Sequence, residues 1–395
     1  MTMRVVIVGA GPSGALLARA LRVRGIGVVI VDRSPAPWFA TYGAWCDEVE
    51  ADLGAMKIGP PWRCTWSSTR VVAGTEYRFQ RRYGVFDNEL LRESCLDGVD
   101  VIEAIVTELH QGDDDALVRC ADGREIRGDL VVDARGTPGN VGGDDNTAVQ
   151  TAYGLVVPAE ELVRRGIEPD EMTLMDWTAV ADDGPPTFLY AMHTARDEGL
   201  VEETSLCSVP AYEHAELRHR LNTRMGADLV SVAHDVEVVH IAMPDATPKR
   251  RVAVFAFGAS GGLVHPVTGY SVGAAVRLSH RVADALVGAA ARGKRGSGLR
   301  DCAWNALWTP AMRRTRALHR LGARVARRLD TRETVEFFGA FFALPVHVWG
   351  PYLRIDAPPA DVRRAMLAVF RRGSWRLKLR LASFPGALVR ALVAR

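Results

Sequence analysis

The stretch from Val252 to Val276, VAVFAFGASGGLVHPVTGYSVGAAV, contains no Asp, Glu, Lys or Arg. A run that apolar belongs either in a bilayer or at the buried centre of an α/β domain. Its five glycines, Pro266 and His265 make a poor transmembrane helix. The pattern predicts instead a strand over Val252–Phe257, a glycine-rich turn, and a helix starting near Thr268–Ser271. Such a turn lets backbone approach a large ligand and aims free N–H groups at it.

A second glycine-rich turn lies at the far end of the chain. Val5–Val8 reads as a short apolar strand, followed by Gly9-Ala10-Gly11-Pro12-Ser13-Gly14 and the apolar-periodic Ala15–Arg24. Val28–Val31 reads as a second strand that ends at Asp32. This is G-x-G-x-x-G between strand and helix, with an acid at the end of the next strand. Gly9 permits the tight turn, Gly11 lets a pyrophosphate rest on backbone, and Gly14 lets helix pack on strand. Asp32 is placed to accept from a ribose hydroxyl. A dinucleotide held between the two turns is the expectation; a glycine-rich turn in an unliganded domain is the plainer alternative. The apolar start also resembles a secretion signal. Arg4 is its only leading base, however, and strand–turn–helix–strand accounts for it better.

At 395 residues, 48% hydrophobic and 24% charged, the chain has room for two domains. The net charge of +2 hides an asymmetry. Residues 301–395 carry a net of +12 and the first 300 a net of −10. A basic final quarter suits an anionic surface, although 45 of the 49 basic residues are Arg, so composition alone inflates the count. Cys46, Cys64, Cys95, Cys120, Cys207 and Cys302 are scattered with no C-x-x-C, so reduced thiols in the cytosol are expected. No His/Cys cluster has metal-ligand spacing. No metal, nucleic acid or protein partner is expected.

Val99–Glu108, Ala116–Cys120 and Asp129–Asp133 read as strands, the last ending at a ligand-facing turn that makes Asp133 a cofactor-side candidate. Gly139–Asn146 reads as a loop. Short strands then dominate: Ala152–Val157, Glu171–Thr178, Thr187–Met192 and Val201–Ser208, interrupted by a helix over Tyr212–Met225. The expected division is a discontinuous dinucleotide-binding domain (1–55, 80–149 and 245–290), a sheet-rich substrate domain (56–79 and 150–244) and a C-terminal helical region (291–395). Within the last, Ala303–Leu329 reads as one long helix and Phe337–Leu353 as an uncharged aromatic segment broken by Pro345. Basic helices follow, striped by Val362, Met366, Val369 and Phe370 and by Leu388, Val389, Leu392 and Val393. With Trp375 amid Arg372, Arg376, Lys378 and Arg380, they read as a segment lying on a membrane surface or as helices packed on the core.

Leu200–Ser208 holds two adjacent acids. Strand alternation puts Glu202 and Glu203 on opposite faces, so one faces an apolar interior. A carboxyl there keeps its proton near neutrality and can protonate a weak base. Surface charge or an ion pair is the ordinary alternative. On a neighbouring strand Asp176 is a supporting carboxylate and Trp177 a π face for a cation. Tyr42–Glu48 has the same mixture of rings and carboxylates.

Taken in order, these segments resemble the FAD-dependent lycopene cyclase family. Gly9–Gly14 resembles its FAD fingerprint, Tyr42–Glu48 its Y-G-x-W-x-D-E and Tyr83–Leu91 its Y-x-x-x-D-x-x-x-L. Gln150–Gly154 resembles Q-x-A-Y-G, Met175–Trp177 M-D-W, Phe188–Met192 F-L-Y-A-M and Glu202–Thr204 the E-E-T of F-L-E-E-T. His265–Ser271 is similar to H-P-x-T-G-Y, and Phe341–Leu344 with Trp349 to F-F-x-L…W. The resemblance implies a Rossmann-type FAD-binding domain with an inserted sheet-rich substrate domain and a helical C-terminal region. It implies reduced FAD, with NAD(P)H as flavin reductant, in a cyclisation without net redox change. Glu202 is then the acid, Glu203 and Asp176 supporting carboxylates, and Trp177, Tyr42 and Trp45 cation-facing rings. Gly9, Gly11, Gly14, Asp32, Asp133, Gly258, Pro266 and Gly269 belong to the cofactor side, and Tyr42, Trp45, His193 and Phe341 to the substrate pocket. A lipophilic isoprenoid substrate and a cytoplasmic, peripherally membrane-associated location follow. Thr178 replaces Arg after M-D-W, His193 replaces Pro after F-L-Y-A-M, and Leu200-Val201 replaces Phe-Leu before E-E-T. These departures fall on substrate strands and leave open lycopene or another prenyl chain, such as one on an aromatic head group. The competing class is a redox flavoenzyme, a monooxygenase or isoprenoid reductase; those often carry an Asp that Gly258–Gly261 lacks.

Overall fold

Every residue of Val5–Val8 is buried, because this strand lies at the centre of a five-stranded parallel sheet. The order is Phe255–Ala256, Leu130–Asp133, Arg4–Val8, Gly27–Asp32, Asp100–Glu103. A strand covered on both faces has no polar side, hence the unbroken apolar runs. Its alternate residues enter two different cores. Val5, Ile7, Val28 and Ile30 pack beneath the helices Pro12–Arg22 and Val272–Ala291, which lie against each other. Val6, Val8, Val29 and Val31 pack against a three-stranded antiparallel layer containing Ala116 and Val118. The computed structural model describes residues 3–136, 147–178, 186–243 and 253–382.

The second layer is a seven-stranded sheet in the order Asp235–Met243, Ala148–Pro158, Glu198–Ser205, Thr187–His193, Glu171–Asp176, Ser68–Ala73, Thr75–Phe79. It is antiparallel except where Glu171–Asp176 meets Ser68–Ala73. One face is closed by the helix His214–Met225, whose Leu217 and Leu221 pack with Leu155 and Val201. The other is closed by the C-terminal helices through Phe338, Phe341, Phe342 and Trp349. A small sheet of Gly43–Trp45, Tyr83–Phe86 and Trp62–Trp66 bridges toward the parallel sheet. The fold is thus α/β with a Rossmann-type parallel sheet, a sheet-rich part and a helical C-terminal region.

Several boundaries differ from the sequence reading. Ala303–Leu329 is two helices, Gly296–Leu307 and Pro310–Ala326. Thr309 caps the second by accepting from the Met312 N–H, and Pro310, lacking an N–H, fits only a first turn. Val99–Glu108 is likewise two strands, Asp100–Glu103 and Val106–Gln111. Of the strand expected over Val252–Phe257, the described residues 253–257 form only Phe255–Ala256, and the following helix begins at Val272. Gly139–Asn146 and the stripe Leu388–Val393 lie outside the described residues.

Candidate active site

The N-terminal turn is built on missing side chains. Gly9 has φ of +114°, and a Cβ there would stand 2.6 Å from the Ala134 carbonyl oxygen. A Cβ on Gly14 would stand 2.1 Å from the Gly9 oxygen, so helix and turn touch only because residue 14 is glycine. Gly11 differs: nothing lies within 4 Å of its Cβ position. It faces a cleft of about 1100 Å³, also lined by Gly9, Asp32, Tyr42, Asp133 and Ser260. The Asp32 carboxylate accepts from the Ala10 N–H at 2.6 Å and the Ser34 N–H at 2.8 Å, which fixes it at the rim. Gly258, at φ of +72°, closes the second turn onto the first, where a Cβ would meet that of Ser13 at 2.5 Å. The two turns therefore face one space, large enough for an extended ligand and edged by a helix N-terminus.

Pro266 and Gly269 do not line this cleft; Ala259, Ser260, Gly262 and Ser271 do. Their turn is knotted by His265. Its Nδ1 accepts from the Val267 and Thr268 N–H groups, and its Nε2 donates to the Tyr352 carbonyl at 3.0 Å. Burial lowers the His265 pKa to about 3, so the ring is neutral. Tyr270, in the same turn, shares a hydroxyl hydrogen bond with Tyr83, whose oxygen is 3.4 Å from that of Tyr190. Burial raises the pKa of all three phenols well above its usual value, so all remain protonated.

Tyr190 opens a row that crosses four strands in register: Tyr190, Glu202, Gly154, Glu237. Glu202 is only 7% exposed and shares its face with the apolar Leu200, Phe188 and Met192. The Thr204 hydroxyl donates to its Oε1 at 2.8 Å. Burial first, and then the charge of Glu237, push its pKa up to about 8, with the Thr204 hydrogen bond opposing them. The result is a carboxylic acid, protonated at neutral pH, on an apolar wall. Glu237 is held by Thr41, whose N–H and hydroxyl donate to its two oxygens at 2.7 and 2.6 Å. The adjacent Tyr42 lines the cleft, and its pKa is raised by burial and by Glu237. The segment Thr41–Tyr42 therefore joins the cleft to the acid row.

The structure separates the other sequence candidates. Glu203 is wholly buried on the opposite face, where Arg224 grips it through Nε at 2.9 Å and Nη2 at 3.2 Å and Thr187 donates to it. The sequence reading buried one of the two acids; in fact both are buried, Glu203 as an ion pair. Asp176 pairs across the sheet with Leu189, on the face away from Tyr190, accepts from the Thr178 N–H and lies 3.7 Å from Arg70. His193 also lies on that far face, with its Nε2 on the Ile167 carbonyl at 2.9 Å, so it does not reach the acid. Trp177 is on the Glu202 side, packed on Phe188 and stacked on Phe338 at 4.7 Å. Phe341 is in the same aromatic cluster, against Trp349 and Tyr352. Trp45 already holds a cation, the Arg81 guanidinium, 4.4 Å from its ring centre. Sequence reasoning missed Glu237 and Thr41, and met Gly154 only as the end of the Gln150–Gly154 match. Glu237 sits in DVEVVHIAM, whose alternation reads as an ordinary solvent-facing acid.

A parallel sheet with paired glycine turns, beside a sheet carrying a buried neutral acid, defines the class: a dinucleotide-cofactor fold joined to a second sheet that holds a buried acid. Solved structures agree on the fold. A geranylgeranyl bacteriochlorophyll reductase-like protein from Thermoplasma acidophilum superposes with TM-score 0.69 at 12% identity, over 100% of this chain and 99% of its own. Klebsiella pneumoniae HpxO, in complex with FAD and uric acid, gives 0.62 at 15% identity over 91% and 98%. The lycopene cyclase protein family matches residues 4–379. An uncharacterized carotenoid cyclase of Deinococcus radiodurans is 34% identical over 99% of this chain and 96% of its own. The chloroplastic lycopene beta cyclase of Arabidopsis thaliana is 31% identical over 88% and 73%. The chain belongs to the lycopene cyclase family, enzymes of carotenoid cyclisation.

Proposed function

We propose that the protein closes a six-membered ring on lycopene or a similar prenyl chain by protonating a terminal double bond, without net redox change. The observation that carries this is Glu202, a buried carboxyl that keeps its proton at neutral pH. Its proton adds to the alkene and leaves a tertiary cation, which a neighbouring double bond attacks to form the ring; loss of a proton gives the cyclic alkene. Phe188, Met192, Leu200 and Trp177 keep water from the cation, and the ring of Trp177 offers it a π surface.

FAD fits the cleft. Gly9, Gly11 and Gly14 suit its pyrophosphate, Asp32 a ribose, and the second turn, with Ser260 and Val272, the far side. Reduced flavin, when bound, would supply a negative charge that steadies the cation, with NAD(P)H as the reductant. In an anaerobic assay we expect a cyclic product of unchanged mass, a need for reduced flavin, and no stoichiometric consumption of reductant. A product heavier by an oxygen or by two hydrogens, with matching NAD(P)H oxidation, would assign the protein to the redox flavoenzymes instead.

The substrate's greasy character calls for a membrane reservoir. No described helix is long and apolar enough to cross a bilayer. In Trp375–Ala382, however, Trp375 and Leu379 are exposed one turn apart, and in Pro359–Arg372 Leu367 and Phe370 are exposed. Arg371, Arg372, Arg376, Lys378 and Arg380 surround them. This pattern supports peripheral docking on anionic lipid from the cytoplasmic side. Vesicles containing an anionic lipid should float the wild-type chain, and Trp375→Glu with Leu379→Glu should cut the bound fraction several-fold. Undiminished flotation would reject the docking helix.

A further inference from the structure

Cyclisation takes in one proton and must release another, and Glu202 alone accounts for only the first. We propose that Glu237 is the catalytic base that removes the second proton from the cyclised cation, an inference that rests on the function proposed above.

The placement is specific. Glu202 and Glu237 both pair with Gly154, one from each side, so their side chains leave the same face of the sheet with one strand between them. Gly154 puts no side chain in the gap, and a Cβ there would crowd the Glu202 Cγ at 3.3 Å. Each Glu237 oxygen already accepts from Thr41, which fixes the carboxylate's position. Its charge is felt by Glu202 on one side and by Tyr42 on the other. An anion at that point lies across Gly154 from Glu202 and beside Tyr42 on the cleft wall. It supplies both an electrostatic partner for the cation and an acceptor for its proton.

The balance closes. The Glu202 O–H bond breaks as the substrate C–H bond forms, leaving Glu202 ionised and the substrate cationic. A ring-carbon C–H bond then breaks toward a Glu237 oxygen, and its electron pair becomes the ring double bond. Between turnovers Glu237 gives its proton to water and Glu202 takes one up from water, so both groups are reset and each new proton comes from solvent.

The experiment is Glu237→Gln in the flavin-loaded, reduced protein, assayed with lycopene in D₂O beside wild type and Glu202→Gln. We expect turnover to fall by about a hundred-fold or more, flavin content to be unchanged, and deuterium to appear in recovered acyclic substrate, because protonation can only reverse. A merely structural role would not put deuterium there. Should the Gln variant not fold, Glu237→Asp carries the test, with slower turnover and the same exchange. Turnover at the wild-type rate, or loss of turnover without exchange into substrate, overturns the proposal. Failure of wild type to cyclise would instead remove the proposed function, so the two failures are distinguishable.

Discussion

Glu202→Gln should lose cyclisation and yet fold more stably than the wild type. The loss follows from removing the carboxylic acid that burial keeps protonated at neutral pH, and general acids of this kind contribute about 10²–10⁴-fold. The gain follows from linkage. Glu202 has a folded pKa of about 8 against an ordinary value of 4.5. A raised pKa means that the folded state binds the proton more tightly, so stability is full below pH 4.5 and declines as pH rises towards 8. At pH 7 that loss amounts to about 3 kcal/mol, which a neutral Gln does not incur. Urea unfolding should therefore show the variant level with wild type in acid and ahead of it at neutral pH. Wild-type turnover should decline above pH 8 as the acid ionises. A variant that cyclises normally would remove Glu202 from the acid role. A variant equal in stability at every pH would mean that the carboxyl is hydrated.

Glu203→Ala, one residue along, should do the reverse: a large loss of stability with chemistry retained in the molecules that fold. The Glu203 carboxylate is wholly buried and held bidentately by Arg224, itself only 8% exposed. Truncating it leaves a buried guanidinium with its main anion gone. Breaking one side of such a pair costs about 3–5 kcal/mol. Unfolding should shift accordingly, while the rate per folded, flavin-loaded molecule stays within a few-fold of wild type. A large rate loss with unchanged stability would place Glu203 in the chemistry.

The contrast shows which parts of the site a linear reading reaches. Alternation separates Glu202 from Glu203 with certainty, but it cannot say which face meets the aromatic helices and which meets Arg224, since both partners lie far away in sequence. Parity places His193 with Ala191 and Leu189 on one face of its strand, but only the pairing of Leu189 with Glu203 shows that this is the Glu203 side. The Gly9–Gly14 turn was legible because strand, turn and helix follow one another within a few residues, with Gly14 packed against the Gly9 oxygen. Glu237 was not legible. Its meaning depends on Gly154, more than eighty positions earlier, lying between it and Glu202, and on Thr41 arriving from the cofactor side. The long helix expected across Trp308 failed for a local reason: apolar periodicity outweighed the Thr309-Pro310 start signal.

The most direct test of proton-driven ring closure is the same anaerobic assay run in D₂O. If Glu202 delivers a solvent-exchanged proton, each ring closed in the product carries one deuteron, and the same product made in H₂O keeps the substrate's mass. A cyclic product without deuterium, or one whose mass records added oxygen or hydride, would contradict the account.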